Sequence, residues 1–110
     1  MAFALVKNTA GNMVSPSVES VTAAIAGAVI PEDFRFSMVN PAGEHAYPIA
    51  GVTWLLVYER QKDPAKGRKL VEFLNWSMNE GQAQVASLDY APLPESIRQR
   101  VLDRIKTIKY

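Results

Sequence analysis

Thr53-Trp54-Leu55-Leu56-Val57-Tyr58 is an almost unbroken run of β-branched, aliphatic and aromatic residues, and five residues later comes Asp63-Pro64. A strand with one wet face alternates apolar and polar residues, and this run does not. Both of its faces are therefore expected to be covered, as in a sheet flanked by helices. Asp63 can cap free backbone amides, and Pro64 suits the first helical position, where its missing N–H costs nothing. Leu70, Phe73, Leu74 and Met78 then form a stripe at helical spacing, which Gly81 interrupts or ends. A buried strand leading into an amphipathic helix points to the α/β class.

Upstream, Phe3 to Val6 and Met13-Val14 flank Asn8-Thr9-Ala10-Gly11-Asn12 and read as a short hairpin around a glycine turn. Ser15 as cap and Pro16 as first residue open a helix whose apolar face is Val18, Val21, Thr22 and Ile25, with Gly27 as its stop. Phe34, Phe36 and Met38 alternate with other residues at the period of a strand, and Asn40-Pro41-Ala42-Gly43 is a turn. Ala46-Tyr47-Pro48-Ile49 reads as an extended crossing, because Pro48 has no ladder donor. Downstream, Ala91-Pro92-Leu93-Pro94 is a stiff loop before a last helix with Ile97, Val101, Ile105 and Ile108 on one face.

A length of 110 residues allows one domain. With 48% hydrophobic and 21% charged residues the composition is that of a folded globular chain. No cysteine means no disulfide framework, no thiolate metal site and no thiol nucleophile. The formal net charge of +1 gives no global attraction to nucleic acid or to an anionic membrane. Charge is uneven, however. Residues 1–58 set Lys7 and Arg35 against Glu19, Glu32, Asp33 and Glu44, whereas residues 59–110 are net basic. No stretch reaches the about 20 apolar residues of a membrane span, and the start lacks the pattern of a signal peptide.

Candidate chemistry is sparse. His45, the single histidine, has no companion ligand and reads as a solvated or capping side chain rather than a base. No serine sits in a nucleophile elbow. Ser15-Pro16-Ser17 could hold an anion on free helix amides, although an ordinary cap is the commoner use of such residues. Lys66-Gly67-Arg68-Lys69 lacks the spacing of a phosphate loop and reads as a solvated face. Arg98, Arg100, Arg104, Lys106 and Lys109 make the last helix basic without any aromatic platform for nucleic acid. These residues imply no catalytic group, no metal site and no cofactor, and hence a protein that is not an enzyme.

Several strings together resemble the C-terminal part of the phosphate-binding proteins that feed bacterial phosphate ABC importers. They are Ala46-Tyr47-Pro48-Ile49, Thr53 to Tyr58, Gln61-Lys62-Asp63-Pro64-Ala65-Lys66-Gly67, Glu80-Gly81-Gln82, Leu88-Asp89-Tyr90-Ala91-Pro92-Leu93-Pro94 and Ile105-Lys106. Ala4-Leu5-Val6-Lys7-Asn8 with Gly11, Ser15-Pro16-Ser17 and Val21-Thr22-Ala23-Ala24 agree, so the resemblance runs over essentially the whole chain. Gly51 departs from it, standing where a hydroxyl residue is usual.

The resemblance implies a partial type II periplasmic-binding-protein architecture, with strands and about three main helices drawn from two lobes. Residues 1–44 would resemble the second lobe and 45–50 a hinge-like crossing through Tyr47, Pro48 and Ile49. Residues 51–110 would resemble the return into the first lobe. Family members are about three times longer, and their phosphate ligands lie in loops upstream of this segment, so no phosphate-binding residue carries over. The resemblance further implies phosphate as ligand and an ABC permease as partner of the full-length parent, in the periplasm or at the cell surface. Alone, the chain is expected not to bind phosphate strongly. It is also expected to associate, either with itself as a homo-oligomer or with a complementary N-terminal part. The alternative is a stand-alone protein-interaction module, or a split binding-protein subunit, built on the same fold segment.

Overall fold

The computed structural model describes residues 2–110. The chain divides into two compact units, one formed by residues 1–53 with 89–91 and the other by residues 54–88 with 92–110.

In the first unit, β1 (Val6–Lys7) pairs antiparallel with β2 (Met13–Val14), Val6 opposite Val14 and Lys7 opposite Met13. The turn between them needs a left-handed residue, and Gly11 supplies it at φ 88°. Helix α1 (Val18–Ala26) follows. Its cap is Ser17 rather than Ser15. The Ser17 hydroxyl accepts from the Ser20 amide at 3.1 Å while the Ser20 hydroxyl accepts from the Ser17 amide at 2.9 Å, a reciprocal capping box. That second bond requires a hydroxyl three residues into the helix, and Ser17 has one there whereas Ser15 does not. Gly27 ends α1 as expected, but with right-handed φ −82°, so it is not a left-handed cap. Its lack of a side chain serves close approach instead: a Cβ there would lie 1.8 Å from the Ala42 carbonyl oxygen. Ala24, Ile25, Met38 and Ala46 are the buried apolar residues of this unit.

The strand expected through Phe34, Phe36 and Met38 does not form. Its burial alternates as a strand's would, with Met38 buried and Phe34 and Phe36 half-buried, yet the segment joins no ladder. Local side chains take the backbone donors: the Asp33 carboxylate accepts from the Arg35 amide at 3.0 Å and the Ser37 hydroxyl from the Val39 amide at 3.2 Å. Phe34 at φ 58° and Asn40 at φ 50° break the extended run at both ends. One antiparallel bridge, Val39 with Ile49, joins the segment to the Tyr47-Pro48-Ile49 crossing.

In the second unit, α2 (Pro64–Met78) starts where the sequence predicts, with the Asp63 carboxylate accepting from the Ala65 and Lys66 amides at 2.9 and 3.1 Å. Leu74 is buried, Leu70 and Met78 are half-buried, and Phe73 lies outside this stripe, stacked on Trp76 with ring centroids 6.1 Å apart. A short helix α3 (Gln82–Val85) and one 3₁₀ turn (Ala86–Leu88) lead on, and α4 (Glu95–Ile105) packs against α2. Leu74 and Ile105 are the buried apolar residues here. Gln82 pins the Leu93 loop, its amide oxygen accepting from the Leu93 N–H at 2.8 Å.

The run Thr53–Tyr58 is the main correction. Residues 51–58 belong to no strand, and all but Val52 and Val57 are exposed. Apolarity prepares a segment for burial, but a strand also needs a neighbouring backbone to satisfy its amides. The sheet among the described residues is the two-stranded β1–β2 hairpin, so helices and a small sheet are present without the covered sheet that the sequence leads one to expect.

Candidate functional site

The first unit carries an open concavity of about 800 Å³ beside the N-terminus of α1, lined among others by Asn12, Ser15, Ser17, Glu19, Glu44 and His45. Its walls are set by one buried side chain. Asn8, 6% exposed, lies at the start of the hairpin turn, and its Nδ2 donates to the carbonyls of Gly43, Glu44 and Ala46 at 3.1, 2.8 and 3.3 Å. Its Oδ1 accepts from the Asn12 amide at 3.0 Å. Asn12 Nδ2 adds a bond to the Glu44 carbonyl at 3.0 Å, and Thr9 Oγ1 one to the Pro41 carbonyl at 3.1 Å. The hairpin turn and the 41–46 loop are thereby stitched together. Sequence reading takes Asn8 only as a turn residue, and nothing local marks it as the hub of that stitch.

The electrostatics of the concavity disfavour an anion. Glu19 stands in the first turn of α1, and its carboxyl is held below the usual carboxylate range, first by a backbone amide and then by the Ser17 hydroxyl. The helix terminus thus receives negative charge from its own chain. Glu44 adds a second carboxylate, and neither Lys nor Arg is among the lining residues. His45 is exposed. Of the two readings of Ser15-Pro16-Ser17, the geometry is that of the cap.

The other candidate residues are not gathered into a site. Lys66, Arg68 and Lys69 point outward on α2, with Lys69 paired to Glu72 at 2.9 Å. Along α4, Arg98 pairs with Glu95 and also donates to the Met78 carbonyl at 3.2 Å, while Lys106 pairs with Asp103 at 2.7 Å. Asp103 is correspondingly held below its usual range, chiefly by Lys106. Among the described residues no group of three acidic or histidine side chains is placed to hold a metal ion. No described helix is long and apolar enough to cross a membrane. The crossing residues are fixed within the first unit: the Tyr47 amide donates to the Ser20 carbonyl at 3.1 Å and the Asn40 amide to the Pro48 carbonyl at 2.9 Å.

No protein-family model matches the chain. Curated relatives do. A protein named Phosphate-binding protein PstS from Xylella fastidiosa is 34% identical over 103 residues, covering 92% of this chain and 28% of its own length. Its namesake from Methanocaldococcus jannaschii is 32% identical over 96% of the chain and 31% of that protein. The namesake from Pasteurella multocida is 29% identical over 97% of the chain and 32% of that protein. The chain therefore spans about three-tenths of the length of the relatives it matches.

Proposed function

We propose, on the premise that this chain is homologous over nearly its whole length to phosphate-binding proteins, that it is the C-terminal segment of such a protein serving an ABC-type phosphate importer. The observation that carries the reading is the match itself, 92–97% of the chain against 28–32% of each relative. In the parent, residues 1–44 belong to the second lobe of a type II architecture and 51–110 to the return into the first. The crossing between them runs through Tyr47, Pro48 and Ile49. Phosphate is the ligand and an ABC permease the partner of that parent, which works in the periplasm or at the cell surface and catalyses no reaction.

The segment alone does not hold phosphate strongly. A dehydrated oxyanion needs converging N–H and O–H donors or cations, and the concavity beside α1 presents Glu19 and Glu44 instead. Calorimetric titration of the chain with inorganic phosphate is expected to give no measurable heat of binding at micromolar concentrations. The same titration is repeated with the remaining two-thirds of the Xylella fastidiosa relative present, where binding is expected. Tight binding by the chain alone would refute the assignment of the ligands to the rest of the parent. No binding in either arm would refute the phosphate reading.

A further inference from the structure

The second unit sets two like charges side by side. The Lys109 amide donates to the Glu59 carbonyl at 2.7 Å and the Gln61 amide to the Lys109 carbonyl at 2.8 Å, so Arg60 and Lys109 stand opposite each other in a parallel bridge. Helix α2 fixes the direction of both. Gly67 is buried, and a Cβ there would lie 2.4 Å from the Tyr110 Cβ and 2.9 Å from the Gln61 Cβ. Gln61 and Tyr110 therefore pack toward α2. Side chains alternate along an extended chain, so Arg60 and Lys109 project together from the other side, and both are exposed. Like charges directly opposite in a ladder are destabilising. The nearby acids do not relieve them. The Asp63 carboxylate is turned onto the Ala65 and Lys66 amides. Among the described residues no ion pair joins Glu59 to Arg60 or Lys109. The acids of α2 and α4 each pair with a cation on their own helix, Glu72 with Lys69, Glu95 with Arg98 and Asp103 with Lys106. Two more exposed cations outside those pairs extend the positive patch, Lys62 two residues beyond Arg60 and Lys66 beside Gly67.

We propose that Arg60, Lys109, Lys62 and Lys66 form a docking surface for an anionic lipid bilayer. This rests on the reading of the chain as a segment of a phosphate-importer binding protein, since such a protein delivers its ligand to a permease in a membrane. The chemistry of the patch favours lipid over a protein partner. Arg60 is joined by three lysines, and lysine is depleted at protein interfaces, where arginine is enriched. An anionic bilayer attracts both through charge alone, by roughly fivefold in partition for each cation near the surface. It also requires no matched shape, which suits long side chains held only at their backbones. A phosphodiester headgroup between Arg60 and Lys109 supplies the counter-charge that the neighbouring acids do not. Affinity spread over four weak contacts is compatible with weak binding of free phosphate, a single anion that meets at most the Arg60–Lys109 pair.

Cosedimentation of the chain with phosphatidylcholine vesicles, with and without phosphatidylglycerol, tests this. Binding is expected only with phosphatidylglycerol. It is expected to fall as salt rises, because screening shortens the reach of an exposed charge from about 10 Å at 0.1 M to about 3 Å at 1 M. Arg60→Gln with Lys109→Gln is expected to weaken partition roughly 25-fold, two cations at about fivefold each. The backbone bonds of the bridge survive that change and a repulsion is removed, so the far-ultraviolet dichroism is expected to stay as it is. Arg60→Lys is expected to keep binding to within about twofold. Lys7→Gln with Arg35→Gln removes the same charge from the first unit and is expected to have little effect. An equal loss in that control overturns the patch, since net charge alone would then set binding. No binding to phosphatidylglycerol vesicles at low salt overturns it too. So does capture by poly-glutamate with none by vesicles, since the occupant would then be an acidic protein. Phosphate titration of the chain together with the rest of the Xylella fastidiosa relative separates the two readings. Phosphate binding without vesicle binding discards the lipid surface and keeps the function, whereas vesicle binding without phosphate binding keeps the patch and discards the phosphate reading.

Discussion

Asn8→Ala removes the side chain that joins the hairpin turn to the 41–46 loop, and the structure sets the size of the effect. Four bonds are lost, three donated by Nδ2 and one accepted by Oδ1. They do not count equally. The Glu44 carbonyl keeps the Asn12 side-chain donor at 3.0 Å, and the Gly43 carbonyl keeps the Ala46 amide at 3.3 Å. The Asn12 amide belongs to an exposed residue and can turn to water. The Ala46 carbonyl loses a buried bond, though a long one at 3.3 Å. The cost is therefore set mainly by the buried Ala46 carbonyl left without its Asn8 donor, about 1–3 kcal/mol, or roughly 2 kcal/mol. That is a factor of about 30 in the opening equilibrium of the first unit. Both tryptophans lie in the second unit, so their fluorescence does not report directly on this event. Hydrogen exchange at the Asn40 and Tyr47 amides does, because each donates within the first unit. Exchange there unchanged to within threefold would refute the stitching role of Asn8.

Asn8→Asp separates hydrogen bonding from shape. It can still accept from Asn12, but a carboxylate would face three carbonyl oxygens. The folded state therefore favours the protonated acid, and its folded pKa rises above the unfolded value of about 3.9. Relative to its own charged form the variant is then most stable below that unfolded value, and it loses the advantage as pH rises through the folded pKa. Asn8→Ala has no such acid-side recovery.

Gly27→Ala places a methyl group 1.8 Å from the Ala42 carbonyl oxygen, with its backbone angle unstrained, so the cost is pure overpacking. A loss of about 2–3 kcal/mol is expected, read by exchange at Tyr47. Ser17→Ala removes the hydroxyl that accepts from the Ser20 amide and is expected to cost about 1 kcal/mol. The same change raises the Glu19 pKa part of the way back, since a backbone amide remains the larger cause, and carbon-detected titration of Glu19 measures it. A depressed folded pKa stabilises above the unfolded value and is lost as pH falls through the folded one, so the acid-side loss is smaller in Ser17→Ala.

What was legible in the sequence was decided within a turn or two of chain. Asp63-Pro64 caps α2 because cap and donor are two and three residues apart, and the Gly11 turn forms because its geometry needs only its own backbone. The cap of α1 was misplaced by two residues, because Ser15 and Ser17 are equivalent until Ser20 is seen to reciprocate. Asn8 was invisible because its partners are 35 to 38 residues away. Homology was legible from strings such as Asp89-Tyr90-Ala91-Pro92-Leu93-Pro94, since shared ancestry leaves residues in place whether or not their contacts are present.

The two apolar segments that form no strand differ in how far nearby side chains engage their backbone. Around Phe34–Met38 the pattern was right, and the backbone was captured by Asp33 and Ser37, whose side chains compete locally for the amides a ladder would use. No added polypeptide need change that. At the end of Trp54–Tyr58 a local side chain also intervenes, the Gln61 side-chain amide donating to the Tyr58 carbonyl at 2.6 Å, and backbone pairing is present just beyond it at Glu59 and Gln61. Its side chains are those of a central strand, yet most of them stand in solvent. Periodicity and apolarity therefore describe both segments correctly as sequences, while in each a side chain close by takes a backbone group that a ladder would use.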